Sequence, residues 1–408
     1  IALIYNGKCF EWDASSASAV SNRATVISGA PTASRHVLVS TPDRHLVFFG
    51  TETKIGDTTT QDDMFIRFST QEDINTYTVT AENTAGTQRL AAGSKIMGAV
   101  KGRDAIYVWT DTSLFLMQFV GQPFTFSFQQ AGTNCGLFGK NACIEVDGSA
   151  FWMSENGFFK YSGELSSMAC LVEDDVYDDI NATSRDLINC GLNNLFGEIN
   201  WFYATAASDA VNRVVTYNYG ESTRDRQVWT TGDLPRAAWQ DSAVYDKPHA
   251  TYYNPSDDAS FDVTGNTDGS TIYYNQETGT DQINAGGVVT PMIGTITSGD
   301  FDITQKRSSA GTVVGMPDLR GDGEYIMRIS KFIPDFISQT GNTTLTFATK
   351  EYPNSTPAST SFSVGGSTTF QSTRLRGRSI QLTVANTVAS EDWKLGTLRL
   401  DIHPGGRR

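Results

Sequence analysis

Short apolar runs separated by tight polar turns recur along most of the chain. Residues 96–163 hold two such pairs of runs, with turns at Asp111-Thr112 and Glu155-Asn156-Gly157. A turn of two or three residues between β-rich runs, with Asn-Gly in one of them, predicts a β-hairpin. Two hairpins in tandem predict a repetitive all-β protein, in which Trp109 and Trp152 pack between neighbouring sheets.

The same pattern precedes and follows this stretch. Asn6-Gly7 and Thr41-Pro42-Asp43 each separate two apolar runs, and proline and aspartate favour a turn because of their backbone preferences. Strand–loop–strand units return about every 40–50 residues, which fits four-stranded propeller blades. We therefore expect a β-propeller of about six blades over residues 1–285. Asn134-Cys135-Gly136 is expected to form a tight crossing between two blades.

One segment breaks the β pattern. Val172, Val176 and Ile180 follow one another at intervals of four, which predicts a short amphipathic helix. Thr183 or Ser184 is expected to cap a second short turn.

The pattern of apolar and polar residues changes again near residue 286. Longer strands follow, and one of them alternates apolar Ile380, Leu382 and Val384 with polar Gln381 and Thr383. This alternation is typical of a half-buried antiparallel strand. Residues 286–408 are therefore expected to form a separate antiparallel β-sandwich domain of ordinary size.

The charge balance limits the classes of partner. The chain has 45 acidic and 31 basic residues, a net charge of −14. Such a surface repels phosphate, which argues against specific nucleic-acid binding but is compatible with a channel through which DNA passes. No apolar run approaches the ~20 residues that span a bilayer. The chain begins at Ile1, directly with a complete hairpin pattern, which indicates either a processed amino terminus or, as we favour, further residues upstream.

Residues with catalytic or ligating chemistry are scattered. The five cysteines lack a CxxC spacing, which predicts reduced core thiols rather than a zinc site or a disulfide framework. The four histidines lack an HExxH spacing, and no GxSxG nucleophile motif occurs. Adjacent carboxylates such as Asp62-Asp63 do not by themselves make a glycosidase pair, because neighbours on a strand point to opposite faces. We expect neither an enzyme nor a cofactor.

Residues 265–274, GNTDGSTIYY, resemble the Asp-box turn of sialidase-like propellers in a single copy. Asp262, Asn266 and Asp268 are an alternative set of oxygen ligands for calcium. A plain hairpin turn is the favoured interpretation.

The end of the chain is locally basic. Arg374, Arg376, Arg378 and Arg399 lie there, next to Trp393. One interpretation is an electrostatic interface with an acidic neighbouring subunit. The other is a solvated strand edge that its charges protect.

The order of these elements resembles the tail-hub, or nozzle, proteins of short-tailed bacteriophages, also called phage stabilisation proteins. The resemblance begins near residue 35 and is carried by the order of its segments, which are AVKGRDAIYVWTDTSLFLMQFVG, GTNCGLFG, DGSAFWMSENGFFKYSG, VEDDVYDDINATSRDLI, INWFYA, GDFDI and RGRSIQLTV…WKLGTLRLDIHPGGRR. The amino-terminal part is shorter than is usual in that family.

The resemblance implies a structural protein of the virion, assembled in the host cytoplasm as a homo-oligomer, most simply a hexamer. Such a ring extends the DNA conduit below the portal and adaptor, contacts tail-fibre or needle proteins, retains packaged double-stranded DNA and opens for ejection. We add the hypothesis that four acids line the channel: Asp174, Asp175, Asp178 and Asp179. The alternatives are a glycan-binding propeller adhesin and, less favoured, a propeller glycosidase.

Overall fold

The structure is a computed structural model that describes residues 1–13, 23–41, 43–223, 226–242, 245–254, 270–283, 289–303, 323 and 325–406. The chain divides into two compact units, Ile1–Glu277 and Thr278–Arg408. This division lies a little before the expected boundary at 285, because the paired antiparallel strands Asp281–Ile283 and Val289–Pro291 both belong to the second unit. Both units consist mainly of β-strands, as the turn pattern predicts.

The described part of the first unit forms six antiparallel sheets, each made of consecutive strands. Sheet 1 contains β1 Ala2–Leu3, β2 Cys9–Glu11 and β3 Thr25–Val26; sheet 2 contains β4 His36–Ser40, β5 His45–Phe49, β6 Phe65–Phe68 and β7 Gly86–Arg89. Sheet 3 contains β8 Ile96–Lys101, β9 Ile106–Thr110, β10 Ser113–Gly121 and β11 Thr125–Thr133; sheet 4 contains β12 Cys143–Val146, β13 Ser149–Ser154, β14 Gly157–Tyr161 and β15 Leu165–Met168. Sheet 5 contains β16 Asn189–Asn193, β17 Glu198–Tyr203, β18 Arg213–Asn218 and β19 Val228–Gly232; sheet 6 contains β20 Ala238–Gln240, β21 His249–Asn254 and β22 Ser270–Asn275.

Successive sheets pack against each other in chain order. The apolar clusters join sheet 1 to sheet 2, sheet 2 to sheet 3, sheets 3, 4 and 5 to one another, and sheet 5 to sheet 6. The first strands of neighbouring sheets also contact each other, β4 with β8, β8 with β12, β12 with β16 and β16 with β20. This arrangement is propeller-like, since each sheet buries apolar side chains against the next.

Three tryptophans occupy related places on the second strands of sheets 3, 4 and 5. Trp109, Trp152 and Trp201 are each 0% exposed. The ring centroids of Trp109 and Trp152 lie 5.3 Å apart, which confirms the prediction that they anchor neighbouring sheets. The indole of Trp152 donates a hydrogen bond of 2.8 Å to the carbonyl of Cys135. Trp152 therefore also holds the segment that connects sheet 3 to sheet 4.

That link is the tight crossing that the sequence predicts. Asn134 has a φ of 55°, and the amide of Cys135 donates to the carbonyl of Thr112 at 3.1 Å. A Cβ on Gly136 would lie 2.0 Å from the carbonyl oxygen of Asp111, so only glycine fits there. All five cysteines are free, and burial raises the pKa of the Cys135 thiol.

The helical segment is shorter than its apolar pattern predicts. Helix α1 spans Glu173–Tyr177, and Val176 is buried on its inner side. Ile180 has left the helix and forms a β-bridge with Thr205. The following 3-10 helix, Ala182–Leu187, is capped by Asn181 and not by Thr183 or Ser184. The side-chain oxygen of Asn181 accepts hydrogen bonds from the backbone amides of both residues. Another 3-10 turn spans Thr58–Thr60.

The second unit holds the remaining strands. They are β23 Asp281–Ile283, β24 Val289–Pro291, β25 Thr295–Thr297, β26 Met327–Ile333, β27 Phe336–Thr340, β28 Asn342–Lys350, β29 Ala358–Gly365, β30 Gln371–Gly377, β31 Ser379–Ala385, β32 Asp392–Leu395 and β33 Arg399–Pro404. A four-stranded sheet, ordered β25-β31-β28-β29, and a three-stranded sheet, ordered β30-β26-β33, contribute to one apolar core. Ile380 and Val384 are buried in it, as the alternation predicts, whereas Leu382 packs against it and is only partly buried.

The packing predicts a large loss of stability when Trp152 is truncated. Replacing Trp152 by alanine leaves a cavity between sheets and a carbonyl without its donor, so the free energy of unfolding should fall by about 3–5 kcal/mol. Urea denaturation of the full chain measures this change. Trp12, which is 52% exposed, is the matched control, and Trp12→Ala should change stability by less than ~0.5 kcal/mol. Equal effects of the two substitutions would contradict this role of Trp152.

Candidate interaction surfaces

The outer face of the three-stranded sheet in the second unit is basic. Strand β26 lies between β30 and β33. Its Met327 and Ile329 point into the core, whereas Arg328 and Lys331 are exposed. Strand β30 alternates in the same way, with Leu375 buried and its arginines outside. The exposed residues Arg328, Lys331, Arg374, Arg376 and His403 are called the basic face below.

The strand register places two arginines opposite each other on this face. Arg328 pairs with Arg376 on one side and with His403 on the other. Directly opposed side chains in an antiparallel pair have Cβ atoms about 4.5–5.5 Å apart, and like charges there are destabilising. A row of this kind raises the free energy of the isolated sheet.

Little on the sheet itself compensates this charge. Within the residues that the structure describes, the side chains of Arg328, Arg374 and Arg376 make no ion pair or hydrogen bond. Asp401 is the acid beside them. The Ser330 hydroxyl donates to it at 2.6 Å and lowers its pKa, and His403 Nε2 lies 3.2 Å from the other carboxylate oxygen. Asp401 is therefore ionised and offsets part of the charge only.

The four arginines predicted for an interface do not all share this surface. Arg374 and Arg376 lie on the basic face. Arg378 instead donates to the carbonyl of Gly323 at 3.1 Å, and its guanidinium lies 5.9 Å from the ring centroid of Tyr352. Arg399 lies 3.6 Å from Asp335. The structure adds Arg328 and Lys331, which the sequence analysis did not single out.

The four predicted channel acids lie on and after helix α1. Asp174 and Asp175 belong to the helix, and Asp178 and Asp179 follow it. Arg213, at the start of β18, bonds a carboxylate oxygen of Asp175 and one of Asp179, each at 3.0 Å. Two of the acids are thus neutralised locally, and Asp174 and Asp178 remain exposed. That all four line a channel stays a prediction.

Two histidines in sheet 2 have structural surroundings. His45 is fully buried, and its Nε2 lies 3.0 Å from the Thr84 hydroxyl. His36 Nε2 lies 3.0 Å from the carbonyl of Ala99 on sheet 3. Burial lowers the pKa of both imidazoles, which keeps them neutral near pH 7.

Neither a metal site nor a membrane-spanning helix occurs among the described residues. Among the described residues no group of three or more His, Cys, Asp or Glu side chains is arranged to hold a metal ion. The calcium candidates Asp262, Asn266 and Asp268 lie outside those residues. No helix within the described ranges has the length and apolar character to cross a membrane.

Charge is distributed unevenly between the two units. Residues 1–277 contain 34 acidic and 18 basic residues, a formal charge of −16, whereas residues 278–408 contain 11 and 13, a formal charge of +2. The basic face thus belongs to the unit with a slightly positive formal charge, whereas the other unit is strongly acidic. The two units are complementary in sign.

The opposed charges on the basic face predict an unusual stabilising substitution. Arg376→Gln removes one of two facing guanidinium groups, so strand β26 should become more stable by about 0.5 kcal/mol at low salt, and less at high salt. Hydrogen exchange of the β26 amides measures this change. Arg399→Gln is the matched control: it removes a charge that faces Asp335 and should give no gain. A loss of stability in Arg376→Gln at low salt would contradict the repulsion.

Comparison with known proteins gives no assignment. No family model and no curated protein matches the chain. Among solved structures, the chain is similar to a protein described as a glycoside hydrolase, with a TM-score of 0.23 and 9% identity, over 87% of this chain and 94% of that chain. A TM-score this low carries no argument about activity, so function must be inferred from the surfaces described above.

Proposed function

We propose that this chain is a structural protein that assembles with copies of itself, in which the basic face of one copy binds the acidic first unit of the next. The observation that carries the proposal is a row of exposed arginines that make no ion pair or hydrogen bond with the described residues, in a chain whose other unit has a formal charge of −16. Arginine suits this task because its planar guanidinium binds carboxylates in a bidentate manner.

The energetics favour an anionic partner for this face. Opposed arginines cost free energy in the isolated chain, and carboxylates placed between them relieve that cost. The association then gains from complementary charge, which raises the rate of encounter and selects the orientation of the copies. The contact joins two different surfaces, so it is head-to-tail, and a head-to-tail contact closes into a ring when the rotation between copies allows.

The proposal extends to the fold of each unit. We infer that the six sheets of the first unit close into a β-propeller, and that the two sheets around the core of the second unit form a β-sandwich. Contacts between the first strands of successive sheets support the propeller, since these strands surround the axis in that fold.

The biological setting that we propose is a bacteriophage tail. The order of sequence segments that resembles tail-hub, or nozzle, proteins supports it, and the assembly is then a hexameric virion ring. It would sit below the portal and adaptor, contact fibre or needle proteins, retain packaged DNA and open for ejection, without catalysis. Asp174 and Asp178, exposed on an acidic unit, support a lumen that DNA passes without binding.

Reversal of the basic face tests the assembly. The triple variant Arg328→Glu, Arg374→Glu and Arg376→Glu should sediment as a monomer at about 50 mM salt, where the parent chain forms a larger species. The parent assembly itself should dissociate as salt rises toward about 500 mM, because the contact is electrostatic. Analytical ultracentrifugation of the full chain measures both.

A variant of equal net charge is the control. Lys101→Glu, Arg103→Glu and Lys394→Glu reverse three exposed cations elsewhere, and this protein should still assemble. A parent chain that stays monomeric at low salt, or assembly that survives reversal of the basic face, would overturn the proposal. The proposal would also be overturned if the parent chain bound duplex DNA tightly and only the basic-face variant lost that binding. The basic face would then be a binding site for phosphate groups.

A further inference from the structure

A cleft opens between sheet 4 and sheet 5 of the first unit. Its volume is about 660 Å³. Sites for small molecules commonly have volumes of about 300–1,000 Å³, so the cleft is large enough for a ligand of two or three rings. Strands β13, β14 and β15 form one wall. The end of β18 forms the other, together with Tyr219, Ser222, Thr223 and Gln227.

The walls are aromatic at their base. The rings of Phe151 and Tyr217 approach from opposite sheets with centroids 6.1 Å apart. Tyr219 lines the same side as Tyr217, and its hydroxyl donates to the Asn194 side chain at 3.1 Å, which fixes the ring. Met168 adds apolar surface at 5% exposure. The cleft therefore offers flat, rigid, apolar surfaces to a ligand.

Polar groups without partners lie among these rings. The Gln227 Oε1 atom is buried and accepts no hydrogen bond from the described residues. Neither the Tyr217 hydroxyl nor the Lys160 ammonium makes a hydrogen bond or an ion pair with them, although the ammonium lies 5.1 Å from the Phe151 ring centroid. A buried acceptor left unpaired costs about 1–3 kcal/mol, so a bound donor would recover that free energy.

We propose that this cleft binds a neutral saccharide. A sugar ring has apolar C–H faces that pack against aromatic rings, and a rim of hydroxyls that both donate and accept. The cleft supplies an acceptor in Gln227, a donor in Lys160 and a group of both kinds in Tyr217. Asp147 also lines it, and its charge offsets that of Lys160, so the site favours a neutral ligand. An apolar ligand would leave Gln227 Oε1 unpaired.

This inference is independent of the proposed assembly. Every residue that lines the cleft belongs to the first unit, and none belongs to the basic face. A chain that assembles without binding sugar, or binds sugar without assembling, separates the two proposals.

The test is direct binding of defined sugars to the full chain. Saturation-transfer NMR with lactose, maltotriose and chitobiose, preceded by an array of neutral and acidic glycans, should find saturable binding of at least one neutral saccharide. Tyr217→Phe and Gln227→Met should each weaken that binding about fivefold, the loss of one hydrogen bond. Tyr245→Phe, an exposed tyrosine that does not line the cleft, is the matched control and should bind as the parent does.

Gln227→Met provides a second readout that a purely structural glutamine would not give. Removing a buried acceptor without a partner should raise the unfolding midpoint of the free protein while it weakens sugar binding. The absence of any bound glycan at millimolar concentration would overturn the proposal. Binding that both cleft variants leave unchanged, or preference for an acidic glycan that Lys160→Met abolishes, would overturn it as well.

Discussion

Burial of apolar side chains between successive sheets is the constraint on which the first unit depends. A small sheet must bury its apolar face against another element, and here neighbouring sheets cover one another. Two glycines on first strands allow the necessary approach: a Cβ on Gly98 would lie 2.7 Å from the Lys140 carbonyl, and one on Gly191 would lie 2.5 Å from the Trp239 ring. Glycine at these two positions therefore lets neighbouring sheets approach closely.

The same constraint explains where polar groups are found. Surfaces between sheets are apolar, so charge collects in connections such as helix α1 and on sheet faces that have no neighbour. Arg213 joins Asp175 and Asp179 across such a connection. The basic face and the cleft differ from this cluster because some of their polar groups have no partner among the described residues. On the basic face these are the side chains of Arg328, Arg374 and Arg376, and in the cleft the buried atom is Gln227 Oε1. Both are therefore places where binding would improve the energy of the fold.

Local patterns predicted the strands well and the charged surfaces poorly. Asn6-Gly7 and Asp111-Thr112 specify hairpins within a few residues, so their turns could be read directly. The pairing of Arg213 with Asp175 spans 38 residues and leaves no local signal. Arg328 could have been found, because it alternates with buried Met327 and Ile329, but its significance depends on a neighbouring strand. The prediction that Ile180 belongs to the helix is wrong, because this residue pairs with Thr205 in a β-bridge instead.

Repeated packing also explains how one chain can carry two unrelated surfaces. When each sheet is held by its neighbours through tryptophan and phenylalanine side chains, residues at the edges contribute little to the fold and are open to other uses. The cleft uses the edge between sheets 4 and 5, where Phe151 and Tyr217 meet but do not fill the space. The basic face uses an outer sheet surface whose inner side already buries Ile329 and Leu375. In both cases the inner residues supply stability, and the outer ones are available for the binding that we propose.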